Sequence, residues 1–420
     1  MTSEKQAYVY IQLPGTMETV PAALLKVETS RDGSRVGRFR YGDRYLERAD
    51  AFALDPFELP LDKTVREFTK LGGLPGAVRD AGPDSWGRRV IESKLQRSPA
   101  DFDELDYLLH GPQDGAGNLA FGLGATPPAP LRRYNRTHQL AELIAAAELI
   151  EEGRRVPEYV LEGIEPGTSL GGARPKATVE DDNRLWLAKF PEKMDRFNMQ
   201  RVEFATLLLA RRCGLDVCNA RLANVGGRDV LMLERFDRQR AENGYLRLGL
   251  VSGLTMLGAE DNYLDRGRWS YPLLADNLRR WSDRPQRDCR ELFRRMVFNA
   301  AVTNNDDHPR NHAAIRSARG WRLSPAYDLV PTPAISQERR DLALTVGSFG
   351  RIASIYNLLS ESGRFGLSID EARKEIESIA VVVKTWREIF HTSGVEARDI
   401  ETVAGAFLPA CFFFESALDN

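Results

Sequence analysis

Within one short stretch, Asn305, Asp306, Asp307 and His308 stand together with Asn311 three residues beyond, and Asp328 follows. These are residue types that can do chemistry. A carboxylate near an acceptor hydroxyl can orient it and take its proton, while an amide oxygen and a second carboxylate can hold magnesium against phosphates. Asp306, Asn311 and Asp328 make up that set, which is what phosphoryl transfer requires. Two other readings stand beside it. Asn304 to Asp307 also has the composition of a solvated turn and helix cap. Alternatively Asp306, Asp307, His308 and His312 are metal ligands, with His308 and His312 at the i, i+4 spacing of helical zinc ligands, although Pro309 opposes the helix that spacing needs.

Such residues need a scaffold to aim them. Leu292, Phe293, Met296, Val297 and Ala300 recur at helical spacing, which predicts a buried helix that ends abruptly in the polar turn. Beyond the turn, His312 to Ile315 and Trp321 to Leu323 are short extended runs around Ser317-Ala318-Arg319-Gly320. They predict a hairpin that carries Asp328 back towards Asp306. Four residues separate Asp306 from Asn311, as they separate the Asp and Asn of a protein-kinase catalytic loop. Asp328, in Tyr327-Asp328-Leu329, then takes the place of the metal-binding Asp of Asp-Phe-Gly.

Upstream lies a candidate nucleotide site. Gly167 to Val179 holds three glycines, three hydroxyls and the cations Arg174 and Lys176. Glycine lets backbone N–H groups approach a phosphate closely, and a cation neutralises its charge, so Ser169, Gly171, Gly172 and Lys176 are candidate cofactor contacts. A tight hairpin turn is the alternative. A Walker A loop is excluded, because Ala173 and Arg174 stand where Lys-Ser/Thr is required. Lys189 shares a strand face with Leu185 and Leu187, where a lysine needs an anionic partner, either ligand phosphates or Glu203. Glu203 lies in a helix predicted from about Asn198 to Cys213 and stopped by Gly214. Either residue alone also suits a solvated surface. Val230 to Asp237 reads as a buried strand entering a polar turn, with Glu234 and Phe236 at the position of a kinase hinge that meets adenine. His308 completes the candidate cofactor contacts.

The remainder of the chain is expected to be ordinary soluble protein. Its 420 residues imply two or three domains, and the net charge of -2 exerts no overall pull on nucleic acid. The four cysteines have neither zinc spacing nor the density of a secreted scaffold, so a reduced cytoplasm is expected. No apolar run approaches the ~20 residues of a membrane span. Tyr8 to Leu13 and Arg38 to Tyr41 predict a small opening sheet, with Gly42-Asp43 turning towards Tyr45-Leu46. A helical segment follows Asp84-Ser85-Trp86. Gly111 to Gly124 is glycine-rich, and Pro127, Pro128 and Pro130 read as a linker. Thr137 is placed to cap a helix that buries Leu140, Leu143, Ile144, Ala147 and Ile150, with Gly153 closing it. Strands are expected to give way to helices beyond Arg240, the β-rich then helical order of a two-lobed kinase.

These residues together resemble the HipA family of bacterial type II toxin-antitoxin kinases. The matching pieces are Ser169 to Lys176, Leu187-Ala-Lys-Phe-Pro191, Glu203 with Leu208 to Leu215, Leu233 to Asp237, Asn304 to Asn311 and Pro325 to Leu329, in family order. Residues 5 to 125 resemble the family's N-terminal subdomain. The resemblance implies an α+β, two-lobed protein-kinase-like fold with an appended N-terminal β-containing subdomain. On that layout the subdomain spans 1–130, the β-rich N-lobe 131–240 and the helical C-lobe 241–420. It also implies an ATP- and Mg2+-dependent serine/threonine kinase whose protein substrates include translation factors such as aminoacyl-tRNA synthetases. A HipB-like DNA-binding antitoxin is the implied partner, with DNA reached only through it and no membrane. Ser169 matches the family's autophosphorylated serine, with Thr168 as the competing acceptor. After Arg238 the family's Leu-Pro-Gln-Glu-Asp-like segment is replaced by Leu246 to Leu254, a departure that bears on the choice of substrate and partner. Two other functions fit parts of the pattern: a nucleotide-binding regulatory or corepressor module without transfer activity, and a metal-dependent hydrolase built on the Asp/His cluster.

Overall fold

In the computed structural model the chain forms two compact units. One comprises Met1–Phe190, Glu234–Glu260 and Ile315–Arg319, and the other Pro191–Leu233, Asp261–Ala314 and Gly320–Asn420. The structure describes residues 3–129, 134–157, 172–333 and 339–416.

The first unit opens with the expected antiparallel sheet. Strands β1 (Ser3–Gln12), β2 (Thr19–Thr29), β3 (Arg35–Tyr41) and β4 (Arg66–Phe68) are neighbours in sequence order, and β5 (Leu119–Gly122) adds to the free side of β1. Phe39 and Tyr41 alternate inward along β3 and join Val9, Ile11 and Leu25 in one apolar cluster. After Gly42 the chain makes a single helical turn, Asp43–Leu46, instead of extending. Tyr45 is thereby buried and stacks on Tyr41, and the two hydroxyls donate to Phe52 O at 2.9 Å and Leu59 O at 2.8 Å. Burying two tyrosines requires acceptors for both hydroxyls, and the turn supplies that geometry.

Helix α1 (Ser85–Leu95) begins where Asp84 accepts from Gly87 N at 2.8 Å. The short strand β6 (Asn135–Arg136) precedes α2 (Leu140–Glu151), which buries the predicted apolar stripe. Thr137 is not its cap. Residues Thr137–Gln139 form a 3-10 turn in which Gln139 Oε1 accepts from Arg136 N at 2.7 Å. Strands β7 (Lys176–Asp181) and β8 (Arg184–Lys189) then pair antiparallel through Asp182-Asn183, both at positive φ as a type I′ hairpin requires. The two strands are buried along most of their length, β8 with the apolar run Leu185 to Ala188, whereas β7 buries Lys176, Thr178 and Glu180 beside Ala177 and Val179. Helix α1 is tied to this hairpin. Trp86 Nε1 donates to Lys176 O at 2.9 Å, and the buried Lys176 ammonium pairs with Asp84 at 2.7 Å.

In the second unit, α3 (Met199–Arg212) starts at Asn198, whose side chain accepts from Arg201 N, and stops at Gly214 with φ +77°. The hairpin of β9 (Ala220–Val225) and β10 (Arg228–Glu234) follows. Helices do not take over beyond Arg240. The chain first returns to the first unit, where the hairpin β11 (Arg238–Ala241) and β12 (Gly244–Arg247) follows a segment held by charge. Arg235, Asp237 and Arg238, expected in a polar turn, are fully or nearly fully buried. They pair with one another and with Asp114 at distances that include 2.8 Å for Arg235–Asp237 and Arg238–Asp114. Gly117 N adds a bond to Asp237 at 2.9 Å. Much of the glycine-rich stretch is thus buried around these ions, since only glycine-rich backbone can present so many N–H and C=O groups at close range. The two guanidinium groups hold the Asp237 carboxyl far below the usual carboxylate range, against the opposing effect of burial.

The rest of the second unit is mainly helical. Helix α4 (Tyr271–Trp281) is capped by Ser270, and α5 (Pro285–Ala301) buries Leu292, Phe293, Met296, Val297 and Ala300 as their spacing predicts. The extended runs β13 (Ala313–Ser317) and β14 (Gly320–Leu323) follow the polar turn. All four cysteines are buried and unbridged.

The Lys176–Asp84 pair is 2% exposed on each side chain, so neither ion has water to fall back on. Replacing Asp84 with Ala strands a buried ammonium, and chemical denaturation should show a loss of about 3–5 kcal/mol. Adding Lys176→Met to that variant should recover part of the loss.

Candidate active site

The polar turn takes its shape from where helix α5 stops. After Ala301 the chain turns through Thr303 at φ +51°, and Pro309–Asn311 forms one 3-10 turn with proline at its first position. His308 and His312 therefore do not share a helix face. His312 turns inward, where its Nε2 lies 2.8 Å from Asp307 Oδ2. Among the described residues no three His, Cys, Asp or Glu side chains are arranged to hold a metal ion, which removes the support for the four-ligand reading.

Adjacent residues of the turn face opposite ways. Asp306 is exposed, whereas Asp307 is 1% exposed. Asn311 is buried, and its Nδ2 donates to Asp306 O at 3.3 Å. Its Oδ1 has no hydrogen-bond partner among the described residues. A buried amide oxygen left without a donor fits a hard cation that prefers oxygen ligands. Asp328 is half-buried with φ +59°, a left-handed conformation that Asp tolerates better than most residues. Its segment is fixed on several sides. Ala326 N donates to Asp216 O at 2.7 Å, Cys218 N donates to Ala326 O at 3.0 Å, and the Tyr327 hydroxyl donates to Arg310 O at 2.6 Å. The fully buried Arg295 also reaches Ser324 O at 2.6 Å. Asp306, Asn311 and Asp328 are thus gathered in one unit by the turn and the return of the chain through β13 and β14.

The electrostatics fit this crowding. Desolvation raises the Asp306 carboxyl above its ordinary pKa and the charges of Asp328, Asp307 and Asp261 add to the rise, while His308 opposes it. Arg310 in the same loop is occupied by Asp261 at 2.7 Å.

Behind the turn lies a buried polar chain whose extent the sequence reading does not contain. The Tyr271 hydroxyl donates to Asp307, Asn299 Nδ2 donates to Tyr271 at 3.1 Å, and Asn304 Nδ2 donates to Asn299 Oδ1 at 3.1 Å and to Asp328 O at 3.4 Å. Burial first, and then the Asp307 charge, raise the Tyr271 pKa well above its usual value. In the sequence Asp307 and His312 stand out only as candidate metal ligands, not as partners of each other. Tyr271 and Asn299 sit in amphipathic helices and gave no signal.

The other expected contacts are distributed between the units. Lys189 ends β8, half-buried, in the first unit, and Glu203 is buried within α3 in the second. Glu234 pairs with Arg184 at 3.0 Å, and Phe236 is half-buried. Gly172 has φ +113°, which glycine alone adopts readily, and its carbonyl accepts from Lys176 Nζ at 3.1 Å. Lys176 is thus engaged by protein groups. Thr168, Ser169 and Gly171 lie outside the described residues.

Comparison with known proteins points the same way. The family model of the HipA-like C-terminal domain matches residues 168–386, and that of the HipA N-terminal domain matches residues 24–122. Y4mE of Sinorhizobium fredii, which carries a kinase name, is 26% identical over 421 residues, spanning 89% of this chain and 96% of that protein. The serine/threonine-protein kinase toxin HipA of Shewanella oneidensis is 25% identical over 287 residues, spanning 60% and 65% of the two chains. A solved structure of Shewanella oneidensis HipA with HipB and operator DNA superposes with a TM-score of 0.66 at 19% identity. It covers 95% of this chain and 94% of that one, a likeness of fold.

A carboxyl whose pKa is raised by folding destabilises the folded state once it ionises. That contribution is absent below the ordinary carboxylate pKa and grows as pH rises towards the folded-state value. Asp306→Asn should therefore have a higher Tm than the wild type near neutral pH, and the difference should shrink below about pH 4. Calorimetric scans of both proteins across pH 3 to 8 check this.

Proposed function

Because the chain belongs to the HipA family of serine/threonine kinase toxins, we propose that it transfers the γ-phosphate of ATP to a serine of another protein with Asp306 as the base. The observation that carries this reading is that the exposed Asp306 carboxylate lies in the same turn as the buried Asn311 Oδ1, which has no hydrogen-bond partner among the described residues, and that desolvation shifts the Asp306 pKa upward. A base with a raised pKa is better matched to accept a hydroxyl proton at neutral pH than an ordinary carboxylate.

Asp306 orients the acceptor hydroxyl and receives its proton as the oxygen attacks the γ-phosphorus, and the bond from that phosphorus to the β,γ-bridging oxygen breaks to release ADP. Asn311 Oδ1 and the Asp328 carboxylate hold Mg2+, which neutralises charge on the β- and γ-phosphates when bound. Lys189, oriented by Glu203, contacts the phosphates. Ser169, Gly171 and Gly172 belong to the loop that covers them, Lys176 at the start of β7 serves the same site by holding Gly172 O, Glu234 and Phe236 lie along the adenine, and His308 completes the nucleotide contacts. The N-lobe spans 131–240 and the C-lobe 241–420, following an N-terminal subdomain at 1–130. An aminoacyl-tRNA synthetase is the proposed class of substrate. A HipB-like DNA-binding antitoxin is the proposed partner, with DNA approached only through it. The solved Shewanella oneidensis complex supports that choice. Four unbridged thiols support a reduced cytoplasm, and no helix among the described residues is long and apolar enough to cross a membrane.

The roles separate in an assay with labelled ATP and candidate proteins. Asp306→Asn should lower transfer by about 10²- to 10⁴-fold with Mg-ATP affinity unchanged, whereas Asp328→Asn should weaken Mg-ATP binding as well. Wild-type transfer by Asp306→Asn would remove the base assignment.

Ser169 is proposed as a site of regulatory autophosphorylation. A phosphate adds about -1.5 to -2 charge next to the ATP phosphates, so it should eject the loop and lower nucleotide affinity. Mass spectrometry after incubation with Mg-ATP should find phosphate on Ser169 in the active enzyme and not in Asp306→Asn. Phosphate on Thr168 alone, or undiminished ATP binding by the Ser169 phosphoprotein, would contradict the switch.

A further inference from the structure

Asp306 and Asn311, the two candidate residues of the turn, each stand immediately before one arm of a buried pair. Asp307 and His312 meet at 2.8 Å with exposures of 1% and 2%, closing the six-residue segment from 307 to 312. The pair is anchored from two helices. Tyr271 of α4, fully buried, donates to Asp307, and Asn299 of α5 donates to Tyr271. From Asn299 the same chain of bonds runs through Asn304 to Asp328 O. Asp307 accepts from both the tyrosine hydroxyl and His312 Nε2–H, so its two donors fix the carboxylate in one orientation.

We infer that Asp307, held by His312 and Tyr271, is a positioning residue for phosphoryl transfer, which sets where Asp306 and Asn311 stand relative to each other. The inference rests on the reading of Asp306 as the base. Asp307 is too deeply buried to meet an acceptor hydroxyl itself, and it acts through the backbone it shares with Asp306. A catalytic group displaced by about 1 Å can lose ~10² in rate, so a clasp next to both residues controls turnover more than binding.

A cycle of variants tests this. Asp307→Asn keeps the shape but replaces an acceptor oxygen with a donor, and Tyr271→Phe removes only the hydroxyl, which guards against a fold lost in the first variant. Each should lower kcat by about 10- to 100-fold, with the KM for ATP within about twofold of the wild type. In an Asp306→Asn background, Asp307→Asn should lower kcat by clearly less than it does in the wild type, since the part of its effect that passes through the Asp306 carboxylate is already lost and only the placing of Asn311 remains. A merely structural role predicts the reverse, the same fractional loss in both backgrounds, and that result would overturn the inference. So would unchanged kcat in both Asp307→Asn and Tyr271→Phe. Wild-type transfer by Asp306→Asn alone would instead remove the base reading on which the inference stands, and that single variant reveals it.

Discussion

The second unit depends on a carboxylate that has no access to water. Asp307 lies in the turn beyond a helix whose apolar residues pack the core, and a charge buried there is tolerated only with its hydrogen-bond partners in place. Tyr271 and His312 meet that requirement from opposite directions in sequence, one from a preceding helix and one from the residue just before β13. The need to satisfy one buried acid therefore brings together α4, the polar turn and the start of β13. Asn299 and Asn304 extend the same requirement to the backbone of Asp328.

The same device recurs in the first unit. Lys176 with Asp84, and Arg235 and Arg238 with Asp114 and Asp237, are buried ions, and Asp84 and Asp114 come from distant parts of the sequence. Apolar residues of equal volume would often give equal or greater stability. What the ions add is exclusivity, because a guanidinium with five fixed donors accepts few alternative surroundings. Arg238 must find Asp114 and the carbonyls of Gly115 and Gly117, which fixes the path of the glycine-rich stretch.

The candidate active site carries features that are unfavourable to stability alone. Asp306 is held with its pKa raised among other acids, Asn311 leaves an oxygen unpartnered among the described residues, and Asp328 adopts a left-handed conformation. Functional sites commonly carry such features, which the rest of the fold must offset. The rigid chain behind the turn is the counterpart, because such an arrangement persists only where its surroundings hold it.

Much of this was legible in the sequence. The periodicity of Leu292 to Ala300 marked α5, Gly214 marked the end of α3, and the spacing of Asp306 and Asn311 with Asp328 beyond was one of the motifs that together marked the family. Such features are local, set by helical and strand repeats or by residues close in sequence. Only the tertiary structure decided that Asp307 faces inward while Asp306 faces out, that Thr137 does not cap its helix, and that Arg235 to Arg238 are buried. Each depends on partners far away along the chain, Tyr271 for Asp307 and Asp114 for the arginines. A polar residue has the same letter whether water or a distant side chain completes its hydrogen bonds, so sequence reading places it at the surface until the fold supplies the partner.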